Sequence, residues 1–177
     1  MTITVDDLGK LRYFAGVENS RLAVFTQLFS KKSFIKGQTI VSEGDAQGDL
    51  YFVTSGVVKM FKTSSEGKEQ IIKILRPGES FNDITVFGSG SSPYSMQALG
   101  NTIVFWIHKN DLMPVMEKNW KIVLNALEIL GEQQRLLLTL VEDLSFKNVT
   151  GRVAKILLQN SNPGPACYKG CCRSRIP

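Results

Sequence analysis

The chain has 177 residues, 43% of them hydrophobic and 21% charged, with a formal net charge of +5. Those proportions suit a globular domain with a real core and exclude a wholly disordered chain. Lys169, Arg173 and Arg175 lie in the last nine residues, and removing their charges leaves +2 for the rest, so the charge alone does not argue for a nucleic-acid surface.

The chain opens with MTITVDDLGKLRYF, which lacks the basic start and apolar block of a secretion signal. No later run approaches the roughly 20 apolar residues of a membrane span, so a cytoplasmic protein with no membrane partner is expected. Over residues 18–30, Leu22, Phe25, Leu28 and Phe29 recur at three and four, which predicts an amphipathic helix.

From Phe34 the pattern changes to short runs rich in β-branched and aromatic residues: Gln38–Val41, Leu50–Thr54, Val57–Thr63, Gln70–Leu75, Tyr94–Leu99 and Thr102–Ile107. Gly44-Asp45, Ser55-Gly56, Glu66-Gly67, Pro77-Gly78 and Gly100-Asn101 punctuate them. Short strands at this spacing predict an antiparallel sandwich or barrel-like roll. The recurrence of Gly37, Gly56 and Gly78 reads as turn chemistry rather than a repeat. Within GESFNDITVFGSGSSPYSMQAL, a turn, a short helical piece, a polar loop and a strand follow one another, as if to line a pocket. No arginine occurs between Arg76 and Arg135.

Asp111 to Lys118 predicts a short helix in which Pro114 favours a bend or a fresh start. Trp120 to Leu144 predicts a long helix. Val123, Leu127, Leu130, Gln134, Leu137, Val141 and Leu144 form a heptad seam, and Ala126, Ile129, Gln133, Leu136 and Leu140 form a second stripe beside it. A helix apolar on two sides needs two covers. One is the chain's own roll; the other is most simply the same helix of a second copy, so a homodimer is expected, with burial in its own core as the alternative. Gln134 in the seam would set register at some cost in stability.

LSFKNVTGRVAKILLQ breaks near Asn148 and restarts as a short helix. The last 18 residues have no apolar period and read as a loose tail. All three cysteines, Cys167, Cys171 and Cys172, fall in that tail, so disulfides do not support the core. Their C-x3-C-C spacing falls short of a four-ligand metal site.

The stretches GQTIVSEGD, LYFVTSGVVKMF, PGESFNDI and LSFKNVTGRVAKILL, in this order and spacing, resemble the CRP/FNR family of bacterial transcription regulators over roughly residues 15–160. The resemblance implies a mostly β fold with α: a jelly-roll of cyclic-nucleotide-binding-domain type followed by a long dimerisation helix. It further implies a homodimer and a winged helix-turn-helix after the short helix. The expected organisation is a sensory roll with its N-terminal helix over 1–117, a dimerisation helix over 118–146, the start of a DNA-binding domain over 147–160 and a disordered tail over 161–177. After Gln159 only 18 residues remain, too few for a winged module, which needs on the order of 50–70. Truncation or a frameshift is one expectation, and DNA binding would belong to a longer form carrying the helix-turn-helix. The alternative is a standalone regulatory module without DNA-binding activity.

Family members that bind cyclic nucleotides carry a Glu for the ribose and an Arg for the cyclic phosphate. Here FNDI stands in the place of their FGEL stretch, so Asp83 replaces the Glu and Asn82 a Gly, and the Arg position falls on Ser92 or Pro93. Leu137 and Leu138 stand where the cyclic-AMP receptor has a hydroxyl pair for adenine. A lost charge-assisted hydrogen bond costs about 1.5–3 kcal/mol, roughly ten- to a hundredfold in affinity. The expected effector is therefore a small molecule other than a cyclic nucleotide. The expected site is Phe81, Asn82, Asp83, Ser92, Tyr94 and Met96 from the roll with Gln133, Gln134, Leu137 and Leu138 from the long helix. The competing possibility is that Asn82, Asp83 and Ser92 are turn and capping residues of a roll that binds nothing.

No cofactor is expected. An iron–sulfur sensor needs a cysteine cluster and a haem sensor an axial ligand, and the one histidine, His108, reads as a helix-entry residue. A cupin-like metalloenzyme needs clustered histidines, and no Ser–His–Asp or Cys–His set can be assembled, so an enzyme is not expected.

Overall fold

Alternating side chains along the strands sort the chain into two four-stranded antiparallel sheets in a computed structural model that describes residues 3–88 and 90–146. The strands are β1 (Ser30–Phe34), β2 (Thr39–Val41), β3 (Asp49–Ser55), β4 (Val58–Thr63), β5 (Glu69–Leu75), β6 (Ser80–Phe81), β7 (Ser95–Ala98) and β8 (Thr102–His108). One sheet runs β1-β8-β3-β6 and the other β2-β7-β4-β5. The helices are α1 (Val5–Gly9), α2 (Asn19–Phe25), α3 (Asp83–Phe87), α4 (Lys109–Glu117) and α5 (Trp120–Phe146). The chain divides into two compact units, Met1–Leu130 and Gly131–Pro177. The described part of the second, residues 131–146, is helical. The expected helix restart and tail at 147–160 and 161–177 lie outside the described residues.

The first sheet has two apolar faces, because β3 and β8 alternate between two cores. Tyr51, Val53 and Val104 face Val41, Val58, Leu75, Met96 and Ala98 of the second sheet, forming the roll interior. Leu50, Phe52, Phe105 and Ile107 point the other way, against Leu8, Phe14, Leu22, Leu112 and Ile122 of the helical layer. Phe52 sits centrally there, edge-on to Tyr13 at 5.4 Å between centroids and tilted against Phe29 at 5.9 Å. Truncating such a ring to Ala costs about 3–5 kcal/mol.

All six predicted strands are present, with no end shifted by more than one residue. Gly37, Gly56 and Gly78 all adopt positive φ, as turn glycines do. Gly56 is the most constrained, since a Cβ there would lie 2.5 Å from the Asn101 carbonyl oxygen.

Two expectations are corrected. The helix predicted over 18–30 ends at Phe25, passes through a 3-10 turn at Thr26–Leu28, and gives way to β1 at Ser30. Leu22, Phe25 and Phe29 are buried, but the last is reached by the turn and Leu28 is left 37% exposed. The strand was hidden because Ser30, Lys31, Lys32 and Ser33 are all exposed, so no alternation marks it; lysines on a sheet edge discourage further pairing. The second correction is at Pro114, where α4 runs through without a break. Burial of Leu112, Val115 and Met116 offsets the one backbone donor that proline lacks.

The two-sided character of α5 is visible in its first turns. Ile122, Ala126 and Ile129 are buried in the helical-layer core. In the seam, Val123 and Leu130 are half-buried, whereas Leu127, Gln134, Leu137 and Val141 are exposed in the single chain. Leu127, Leu137 and Val141 each keep more than half their surface in water. The Leu144 side chain lies outside the described residues.

Candidate effector site

The segment entering α3 turns sharply at Asn82, whose φ of 71° is left-handed. Glycine or asparagine suits that conformation best, since an asparagine side chain can bond its surroundings. Here it does so three times. Its Nδ2 donates to the carbonyls of Asp49 (2.8 Å) and Gln47 (3.3 Å), and its Oδ1 accepts from Thr85 Oγ1 (2.8 Å). The buried amide thus pins the 47–49 loop to the start of α3.

Asp83, the first residue of α3, is 5% exposed. Its carboxylate accepts a hydrogen bond from the Tyr13 hydroxyl and a longer one from Ser80 Oγ at 3.3 Å. Tyr13 belongs to the helical-layer core, so the carboxylate expected at the effector is engaged on that side. Burial first, then the adjacent Asp83 charge, push the Tyr13 phenol well above its ordinary value of 10.0. Tyr13 also stacks on Phe87 of α3, with ring centroids 6.4 Å apart.

Ser92, one of the two positions expected for the family's arginine, is 2% exposed. Its hydroxyl donates to the Tyr94 carbonyl at 2.9 Å. Its backbone pairs with the facing turn: Ser92 N–H to Asp45 O at 2.7 Å and Gly44 N–H to Ser92 O at 2.8 Å. Ser95 Oγ accepts from Glu43 N–H at 3.0 Å. These bonds fasten the polar loop onto the 42–45 turn.

Phe81 and Met96 are fully buried in the roll interior, with Tyr94 packed partly against them. Phe81 stacks on Tyr51, 5.0 Å apart and 7° from parallel. The Tyr51 hydroxyl donates to Asp49 Oδ2 at 3.3 Å, while Asp49 Oδ1 is buried without a hydrogen-bond partner. Burial first, then the Asp49 charge, raise the Tyr51 phenol as well. Lys73 pairs in register with Met60, whose side chain packs on the interior, and its ammonium is engaged by Glu79 at 2.8 Å.

The structure therefore brings Phe81, Tyr94 and Met96 together, commits Asn82 and Ser92 to the loop architecture, and turns Asp83 to Tyr13. Gln133, Gln134, Leu137 and Leu138 lie on α5 in the second unit, Gln133 half-buried and the other three exposed. Sequence reading missed Tyr13, Tyr51 and Asp49. Tyr51 carried a signal, since it alternates with Leu50 and Phe52 in a strand. Tyr13 carried none, its partner being 70 positions away. Among the described residues no group of three or more His, Cys, Asp or Glu could hold a metal ion, and no helix is long and apolar enough to cross a membrane.

Residues 31–119 match the sequence profile of the family described as "Cyclic nucleotide-binding domain". A CRP-like cAMP-activated global transcriptional regulator of Mycobacterium tuberculosis is 29% identical over 152 residues, covering 86% of this chain and 68% of that protein. The Thermus thermophilus catabolite activator protein superposes with a TM-score of 0.70 at 25% identity, over 85% of this chain and 72% of that one. The N-terminal domain of a Streptomyces coelicolor transcriptional regulator superposes with a TM-score of 0.61 at 26% identity, over 81% of this chain and 99% of that one. With its jelly-roll, its cassette helix α3 and its long α5, the chain belongs to the cyclic nucleotide-binding domain family and resembles the N-terminal part of CRP/FNR-type regulators.

Proposed function

We propose that this chain is the sensory and dimerisation portion of a CRP/FNR-type transcription regulator, and that its roll takes a small effector other than a cyclic nucleotide. The carrying observation is the state of the cassette's polar groups. Ser92 is buried with its hydroxyl on Tyr94, and Asp83 is buried against Tyr13. No arginine or lysine lies between Arg76 and Lys109 to meet a phosphate there. A phosphate buried without its partner would cost on the order of 3–5 kcal/mol, more than the remaining backbone donors recover. The roll interior is aromatic and thioether in character, with Phe81, Tyr51 and Met96 buried and Tyr94 half-buried, which supports an uncharged or cationic, partly apolar molecule instead.

The exposed seam Leu127, Leu137 and Val141 supports α5 as the helix that meets a second copy. In that reading the effector favours one arrangement of the paired helices, and it shifts the balance only by its difference in affinity for the two. DNA reading belongs to a longer form carrying a helix-turn-helix.

A thermal-shift screen of the purified protein tests the ligand class. Cyclic AMP and cyclic GMP should leave the melting temperature within a degree, while a member of an uncharged or cationic metabolite set raises it by several degrees. A multi-degree rise with micromolar cyclic AMP, the ligand named for the mycobacterial relative, would overturn the reading. Silence across the whole set would remove the effector.

A further inference from the structure

Three buried polar residues from distant parts of the sequence are linked in series outside the roll interior, Asn125 to the backbone at Tyr13 and the Tyr13 hydroxyl to Asp83. Asn125, on the first turns of α5, is 6% exposed and donates from Nδ2 to two backbone carbonyls, those of Tyr13 and Ala15, each at 2.9 Å. Tyr13, 1% exposed, holds Asp83 through its hydroxyl. Its ring is fixed on two sides, edge-on by Phe52 and in a stack with Phe87 of α3. The amide supplies donors to two backbone carbonyls and the hydroxyl a donor to a buried carboxylate, so neither polar group can be lost without leaving an acceptor unpaired.

We propose that Asn125, Tyr13 and Asp83 form a polar tether that makes the position of α3 depend on the base of α5, with Tyr13 as its positioning residue. The proposal rests on the reading of α3 as the edge of the effector site and of α5 as the dimer helix. Each link is directional. The Asn125 amide fixes where the backbone of the 3-10 turn at Arg12–Phe14 sits against α5. The Tyr13 hydroxyl then fixes the N-terminus of α3, because Asp83 is that helix's first residue. A ligand that displaces α3 must break the Tyr13 bond or carry the turn with it, and carrying the turn pulls on Asn125. A polar tether suits such a role better than apolar contact, since a hydrogen bond is made or lost over a fraction of an ångström whereas apolar packing slides. The aspartate in the cassette, one methylene shorter than the family's glutamate, thereby acquires a part of its own: it ties the helix instead of holding the ligand.

Hydrogen exchange on the full chain, read by mass spectrometry or NMR, tests this without an effector. Asn125→Ala should speed exchange of the α3 amides of Thr85, Val86 and Gly88 about tenfold relative to core amides of β3 and β8. Tyr13→Phe should do the same at residues 122–126 of α5. Asp83→Asn, which keeps an acceptor for the Tyr13 hydroxyl, should leave α5 within about twofold of the unaltered chain. The two directions are independent, so a variant that fails to fold leaves the other to decide. A rise confined to the altered residue's own contacts, or a uniform rise across the core, overturns the tether. Either result leaves the effector reading untouched, since that reading stands or falls on the thermal-shift screen.

Discussion

Raising the pH above 10 should unfold this domain in part through Tyr13. The phenol is 1% exposed, edge-on to Phe52 and bonded to the Asp83 carboxylate. Ionising it in place would put a second negative charge against the first in a medium that solvates neither, so the folded state keeps the proton longer than the unfolded chain does. An unfolded-state phenol titrates near about 10. The stabilisation is therefore complete below that pH and is lost as pH rises toward the higher folded-state value. The loss follows a slope of about 1.4 kcal/mol per pH unit for the one proton concerned, which integrates to about 1.4 kcal/mol by pH 11. Urea melts of the unaltered chain and of Tyr13→Phe at pH 9 and 11, at constant ionic strength, isolate this contribution because the other titrating groups are common to both. The stability of the unaltered chain relative to Tyr13→Phe should fall by about 1.4 kcal/mol between the two pH values. A difference that stays constant would mean that the phenol ionises freely in the folded state, and the buried Tyr13–Asp83 contact would be wrong.

Asn82 gives a ranking test. Asn82→Gly keeps the left-handed turn but loses the bonds to Gln47, Asp49 and Thr85 and should cost about 1–2 kcal/mol, whereas Asn82→Ala adds backbone strain and should cost about 2–4. Alanine proving no worse than glycine in urea melts would contradict the turn geometry. For the dimer, Leu127→Glu combined with Leu137→Glu should weaken self-association by about a hundredfold or more in sedimentation equilibrium, because an interface would have to bury unpaired charges. Unaltered association would place the contact elsewhere.

Local patterning made most of the fold legible. The strands that alternate, from Leu50 through Ile107, stand where their periodicity put them, since burying one or two faces imposes period two on the sequence. The 27-residue helix α5 was equally plain, as was the core-facing position of Ala126 and Ile129. What failed was what lacks a period. The exposed edge strand β1 and the two-residue β6 have no alternation to read.

For the site, sequence by itself determined what the cassette segment lacks: with no arginine from 77 to 134, it carries no guanidinium of its own. The family resemblance also pointed to Asn82, Asp83 and either Ser92 or Pro93 as the altered positions. Only the tertiary structure decided what those residues do. Asn82 and Ser92 close loops, and Asp83 meets a tyrosine 70 positions earlier in the chain. The reason is physical: a sequence shows which groups a segment carries, but the partner of a buried polar atom depends on which distant segments pack together, and no local pattern encodes that.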